Sequence, residues 1–118
     1  MSLSITEIKQ LQGEFDKQHS GRIPFYENVD DNNIEVLEHL IVCLVGEVGE
    51  FSNIVKKIGR GDFSLTDKMG ELSDELADIF IYLIKISNQC DIDLEKSFIE
   101  KLNKNKKRFS GYEINEDI

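Results

Sequence analysis

Apolar residues recur at alternating steps of four and three through the middle of the chain: Leu37, Ile41, Leu44, Val48, Phe51, Val55 and Ile58. That interval is the signature of one face of an α-helix. The same periodicity predicts four helices, over residues 6–17, 33–58, 67–90 and from 91 or 93 to about 109. Ile8, Leu11 and Phe15 form the apolar side of the first, and Leu94, Phe98, Leu102 and Phe109 that of the last. The Asp- and Asn-rich stretch "NVDDNN" precedes the second helix, and "GRGDFSLTD" interrupts the pattern after it, with Ser64 or Thr66 available to cap the third. A single proline, Pro24, interrupts nothing helical. The expected fold is all-α: a four-helix bundle-like single domain over residues 1–118, with a central antiparallel helical hairpin and a core in residues 33–109. The tail "GYEINEDI" has no periodicity and is expected to be mobile.

Charges inside the apolar stripes change this picture. At 100° per residue, Glu47 falls about −100° from Val48, between Leu40 and Ile58 at about −80° and Val36 and Ile54 at about −120°. Glu50 lies on the rim of that sector, beside Cys43. The third helix repeats the arrangement: measured from Ile79, Glu75 lies at about −40° and Asp78 at about −100°, with Glu71 one turn earlier on the same stripe. Asp74 points elsewhere. Burying a carboxylate is costly unless it is compensated. Most E-x-x-E pairs in helical proteins are surface pairs, but two pairs sunk into apolar faces of consecutive helices converge on one point. Four carboxylates that close repel, and bound divalent metal relieves them. An all-oxygen donor set favours magnesium (Mg2+) or manganese (Mn2+) over zinc, and neither histidine stands at ligand spacing from the acids. Gly46 and Gly49, without Cβ, leave room for a backbone or ligand near these acids.

A complementary basic line occurs on the fourth helix. Lys101, Asn105 and Arg108 share one side at i, i+4, i+7. Lysine and arginine suit phosphate oxygens, and an amide suits phosphate, sugar or base. Lys56, Lys57 and Arg60 read more simply as a solvated helix terminus. His19, Arg22, Phe25 and Tyr26 lie in the irregular segment, where packing is favoured over a base clamp. "GRGD" lacks the P-loop pattern.

Composition narrows the partners. With 14 basic and 23 acidic side chains the net charge is −9, which argues against nucleic acid held by its phosphates. Cys43 and Cys90 sit in apolar helical runs and read as buried free thiols. No apolar run reaches the roughly 20 residues of a membrane helix, and no signal-peptide core is visible. The expectation is a cytoplasmic protein without membrane partners. The third helix is apolar nearly all round, with Ala77, Phe80, Ile81 and Ile84 opposite the acids, which predicts a homodimer or homotetramer.

The motifs Glu47-x-x-Glu50, in "GEVGEF", and Glu75-x-x-Asp78, in "ELADIFIYL", followed by Lys101, Asn105 and Arg108 as K-x-x-x-N-x-x-R, resemble the MazG-like all-alpha nucleoside triphosphate pyrophosphohydrolases. The resemblance covers residues 35–109. Gly46 stands where the family commonly doubles the acid, so the number of metal ions stays open. The resemblance implies cleavage of a nucleoside triphosphate between the α and β phosphates, giving monophosphate and pyrophosphate, as in nucleotide-pool housecleaning. It further implies that Glu47, Glu50, Glu75 and Asp78 hold the metal, with Glu50 also orienting the attacking water. Lys101 and Arg108 would hold phosphate oxygens, and Asn105 phosphate or sugar. A phosphoribosyl-ATP pyrophosphohydrolase is a sibling reading. A non-enzymatic acidic helical adaptor is the rival class, and a di-iron bundle lacks its Glu-x-x-His ligands.

Overall fold

The computed structural model describes residues 2–114. Four α-helices follow in order: α1 (Ile5–Lys17), α2 (Ile34–Gly59), α3 (Leu65–Gln89) and α4 (Leu94–Arg108), with a 3-10 turn at Ser110–Tyr112. Part of the tail read as mobile is thus a structured turn, and residues 115–118 lie outside the described residues.

Local chemistry explains where three of the four helices start, whereas Asn33 at the start of α2 makes no side-chain cap. The Glu7 N–H donates to Ser4 Oγ at 3.1 Å while the Ser4 N–H donates to Glu7 Oε1 at 3.0 Å, a reciprocal capping box on α1. Ser64, rather than Thr66, caps α3, accepting from the Asp67 N–H at 3.1 Å. Asp93 caps α4 by accepting from the Lys96 N–H at 3.0 Å.

Both hairpin helices stop by the same device. After α2, Gly61 adopts φ 91°, so that the Asp62 N–H reaches Lys57 O at 3.0 Å and the Gly61 N–H reaches Ile58 O at 3.0 Å. After α3, Asp91 adopts φ 54°, the Ile92 N–H reaches Ser87 O at 2.8 Å and the Asp91 N–H reaches Asn88 O at 3.3 Å. These are Schellman ends, in which a left-handed residue turns the chain back onto the last carbonyls.

The short connection at residues 60–64 folds α2 back against α3 as the central hairpin, the largest interface of the chain. α1 packs on α3, and α4 lies against α1. Thr6 Oγ1 donates to Glu95 Oε2 at 2.5 Å, and Lys9 Nζ to Ile92 O, fastening α1 to the start of α4. The segment before α2 is stitched to the end of α3: the Val29 N–H donates to Gln89 O at 2.7 Å, and Gln89 Nε2 to Phe25 O at 3.0 Å.

The core is thin. Among large apolar side chains of the described residues, only Leu40, Leu72 and Ile84 are fully buried. Ile84, at 1% exposure, lies on the side of α3 expected to be bare, and Ile81 is half-buried there. Phe80, Leu76 and Leu83 do remain exposed, as do Ile41, Val42, Val45, Val48 and Val55 on α2. The apolar seam read from the sequence therefore splits, with Leu37, Leu44, Phe51 and Ile58 half-buried and Ile41, Val48 and Val55 exposed, while the fully buried Leu40 lies beside it. The radius of gyration is 18.2 Å, against about 13–14 Å for a compact chain of this length.

Candidate functional site

Glu47 on α2 and Glu75 and Asp78 on α3 each contribute a carboxylate oxygen to a cluster whose atoms lie within 4.8 Å of one another. All three side chains are half-buried. Glu50, one turn beyond Glu47, is exposed, and its charge acts on Glu75. The two E-x-x-E/D pairs thus meet across the hairpin, because antiparallel helices joined by a short turn face each other along their full length. Glu71 does not join them; it pairs with Lys68 at 2.9 Å.

Crowding leaves a mark on the acids. Desolvation, then hydrogen bonding and repulsion from Glu50, and then the same from Glu47, push Glu75 up to about 7. Desolvation and the neighbouring charges of Glu50 and Asp78 raise Glu47 as well. Glu47 Oε2 and Glu75 Oε2 are buried with no hydrogen-bond partner. Buried acceptors normally find a donor or an ion. Three clustered carboxylates with two orphaned oxygens form a donor set that a hard divalent cation fits.

A cleft of about 400 Å³ opens beside the cluster. Glu47 and Asp78 border it on one side, and Gln12, Phe15 and Asp16 bring α1 to the other. Phe25, Ile81, Tyr82 and Lys85 complete the wall. Burial, with Cys43 next and then Glu47 and Asp78, pushes the Tyr82 hydroxyl up to about 12, so it keeps its proton. Beyond Phe25, Tyr82 and Lys85 lies a second cavity of about 660 Å³, between the irregular segment and the hairpin, reached by Arg22, His39 and Gln89. Phe25, expected to pack, lies on the wall common to both.

The basic line has a different position. Lys101 and Arg108 are exposed and Asn105 is half-buried on α4, and none of the three lines either cavity. Conversely, the wall contains residues the sequence reading passed over. Lys85 Nζ donates to Asp16 Oδ1 at 3.1 Å and to Phe25 O at 3.4 Å. A signal existed: Lys85 interrupts the apolar run "IFIYLIKIS" and follows Asp78 and Tyr82 at i+7 and i+3.

Fold and site together define an all-helical protein with a cation-ready carboxylate cluster on a helical hairpin, bordered by a ligand-sized cleft. Residues 36–110 match the family model described as the MazG nucleotide pyrophosphohydrolase domain. The chain belongs to that family. It is 39% identical over 77 residues to the Gene 37 protein of Mycobacterium phage L5, covering 64% of this chain and 68% of that one. It is 25% identical over 111 residues to the dCTP pyrophosphatase 1 of Rattus norvegicus, covering 90% of this chain and 59% of that one. With the Homo sapiens dCTP pyrophosphatase 1 the identity is 25% over 114 residues, or 92% and 61% of the two chains. The chain thus spans about 60% of the length of these dCTP pyrophosphatase relatives. No helix among the described residues is long and apolar enough to cross a membrane.

Proposed function

We propose that this protein hydrolyses a nucleoside triphosphate between its α and β phosphates, releasing a nucleoside monophosphate and pyrophosphate, with magnesium as the working ion and manganese as a substitute. The observation that carries the reading is the meeting of Glu47, Glu75 and Asp78 at the edge of a cleft, with two of their oxygens buried and unpartnered. A pyrophosphatase of this kind suits a cytoplasmic nucleotide pool.

Glu47, Glu75 and Asp78 would hold the ion through one oxygen each. When bound, a divalent cation neutralises phosphate charge and lowers the pKa of water. Glu50 Oε, exposed and next to Glu75, would accept the proton of the attacking water and so orient it. The protonated Tyr82 hydroxyl would serve the cleft as a neutral donor rather than as a base. Phosphoryl transfer asks the protein mainly for positioning and charge neutralisation.

Lys85, the cation on the cleft wall, is engaged by Asp16 and Phe25 O, so the leaving pyrophosphate calls for a further cation. In this reading Lys101, Asn105 and Arg108 supply it to the site of a neighbouring copy, in a homodimer or homotetramer. The exposed apolar faces of α2, α3 and α4 support this assembly. So does the expanded radius of gyration of the single chain.

A panel of canonical and modified nucleoside triphosphates, assayed for magnesium-dependent pyrophosphate release, tests the reading. Release of pyrophosphate, with no free orthophosphate, is expected from at least one member. Silence across the panel, with magnesium and with manganese, would remove it; a folded adaptor would give that silence and no magnesium-induced thermal shift.

A further inference from the structure

We infer that Gln89, with Lys85 one turn before it, is a positioning residue for substrate binding: from α3 it fixes residues 25–27 so that the Phe25 ring forms the wall against which the nucleoside end of the substrate lies. The inference rests on the nucleotide reading above, and gives Gln89 and Lys85 a role that reading does not.

Glutamine is seldom buried, yet Gln89 is only 3% exposed, and Lys85 is buried beside it. Both spend their polar atoms on the irregular segment. Gln89 Nε2 donates to Phe25 O at 3.0 Å, and Gln89 Oε1 accepts from the Glu27 N–H at 3.2 Å. One side-chain amide thus grips the backbone on both sides of Tyr26. Lys85 Nζ adds a second donor to Phe25 O at 3.4 Å and is itself held by Asp16 Oδ1 at 3.1 Å. The Phe25 N–H donates to His19 O at 3.3 Å. With both backbone groups of Phe25 engaged, what stays open is its ring. The residue is 39% exposed and borders both cavities, and Lys85 Nζ stands 5.2 Å from the ring centroid. An apolar side chain at position 89 would be buried at lower cost, but it could not hold the Phe25 carbonyl.

The place of Gln89 on α3 connects this anchor to the acids. Asp78, Tyr82, Lys85 and Gln89 follow at i, i+4, i+7 and i+11, along one face of the helix. Asp78 belongs to the carboxylate cluster, and Tyr82 and Lys85 wall the cleft. One rigid helix therefore carries the ion-binding end of the site and the anchor of its aromatic end, with about 10 Å along the axis from Asp78 to Lys85 and about 16 Å to Gln89. The aromatic end extends beyond one ring: His19 stacks on Phe25 at 5.7 Å between centroids and on Phe15 at 4.2 Å. A nucleotide whose phosphates meet an ion at Asp78 has its nucleoside on this side of the cleft. Every base has a flat face that gains from an aromatic ring, so the placing of Phe25 sets affinity without choosing among bases.

The test is a double-mutant cycle read on the most active of dATP, dCTP, dGTP and dTTP. Gln89→Met, which keeps the length of the side chain and removes both hydrogen bonds, should raise KM for pyrophosphate release by about fivefold or more, the lower range of what a base gains on an aromatic ring. It should change kcat by no more than about twofold, as loss of uniform binding does. Phe25→Ala should raise KM likewise, and the double variant should have the KM of Phe25→Ala alone, because Gln89 acts through that ring. An unchanged KM in Gln89→Met, or two effects that multiply in the double variant, overturns the inference and leaves Gln89 a purely structural residue. If Gln89→Met fails to fold, the unmodified protein decides by hydrogen exchange. A grip that favours the nucleotide must be favoured by it in return, so exchange of the Glu27 amide should slow when dAMP, dCMP, dGMP or dTMP is added to excess. A rate unmoved by all four refutes the proposal. Absence of pyrophosphate release from every triphosphate would instead strike the pyrophosphohydrolase reading, while the exchange measurement goes on testing Gln89.

Discussion

The acidic and the basic lines of this protein are written in the same helical grammar and end in opposite situations. Glu47, Glu75 and Asp78 sit on two helices joined by a five-residue connection at 60–64, and they meet, with the exposed Glu50 beside them. Lys101, Asn105 and Arg108 sit on α4, which lies against α1, and they border neither cavity. The difference lies in what fixes register. A tight hairpin forces the faces of α2 and α3 together within one chain, so spacing along each helix determines the meeting point. For α4 the turn after α3 sets only a direction, and its partner surface has to be supplied by tertiary or quaternary packing.

The largest expected effect breaks the acidic side and then asks whether the basic side can be lent between chains. Glu75→Gln, which removes one charge from the cluster and keeps its shape, should lower magnesium-dependent pyrophosphate release by at least about 100-fold, as metal-site disruption commonly does. It should also abolish the magnesium-induced rise in melting temperature. Arg108→Ala should lower release through KM while leaving that rise intact. When the two impaired variants are unfolded, mixed and refolded, and assayed at substrate far below the raised KM of Arg108→Ala, a site shared between copies predicts recovery of about a quarter of the original activity, because half of the dimers are hybrids with one intact site. A mixture no more active than its parts would confine the site to a single chain.

Helix positions, the hairpin and the convergence of the acids were legible because each follows from a local period. A cap at Ser64 or Thr66 needed only the turn around it, and Glu47 inside an apolar sector needed only residues of its own helix. The covering of Ile84 was not legible: α1 and α3 are separated by almost fifty residues and nothing in either announces the contact. Asp16 shows the limit most plainly. On α1 alone it is one more polar residue near a helix end, and only its 3.1 Å contact with Lys85, 69 residues away, makes it a buried anion.

A smaller effect, on stability rather than activity, separates the acids from the rest of the surface. Glu75 is raised to about 7 from an ordinary carboxylate value of 4.5, and Glu47 is raised too. In each case the folded protein holds its proton more tightly than the unfolded chain. The associated stability is therefore complete below about pH 4.5 and is lost as pH rises through 7. In the metal-free protein, denaturation midpoints should fall between pH 5 and pH 8. Added magnesium should reverse the trend, stabilising more at pH 8 than at pH 5, since it competes with protons for the same oxygens. The basic variant Arg108→Ala should show the same pH trend as the parent, and Glu75→Gln a flatter one.

The smallest expected effect concerns the two turns that give the lines their different fates. α2 ends on Gly61 at φ 91°, and α3 ends on Asp91 at φ 54°, each in the left-handed region and each closing the same pair of hydrogen bonds. Glycine enters that region freely, whereas an L-residue is strained there, though Asp less than most. A Cβ at Gly61 would meet nothing within 4 Å, so Gly61→Ala tests conformational strain alone and should cost about 1 kcal/mol. Asp91→Gly should act in the other direction, raising stability by roughly 0.5 kcal/mol once the greater freedom of glycine in the unfolded chain is offset. Chemical denaturation at constant m-value measures both. If Asp91→Gly instead lowers stability by 1 kcal/mol or more, the Asp91 side chain holds the α3–α4 turn through an interaction of its own, and α4 is oriented by that turn more firmly than the comparison with the hairpin implies.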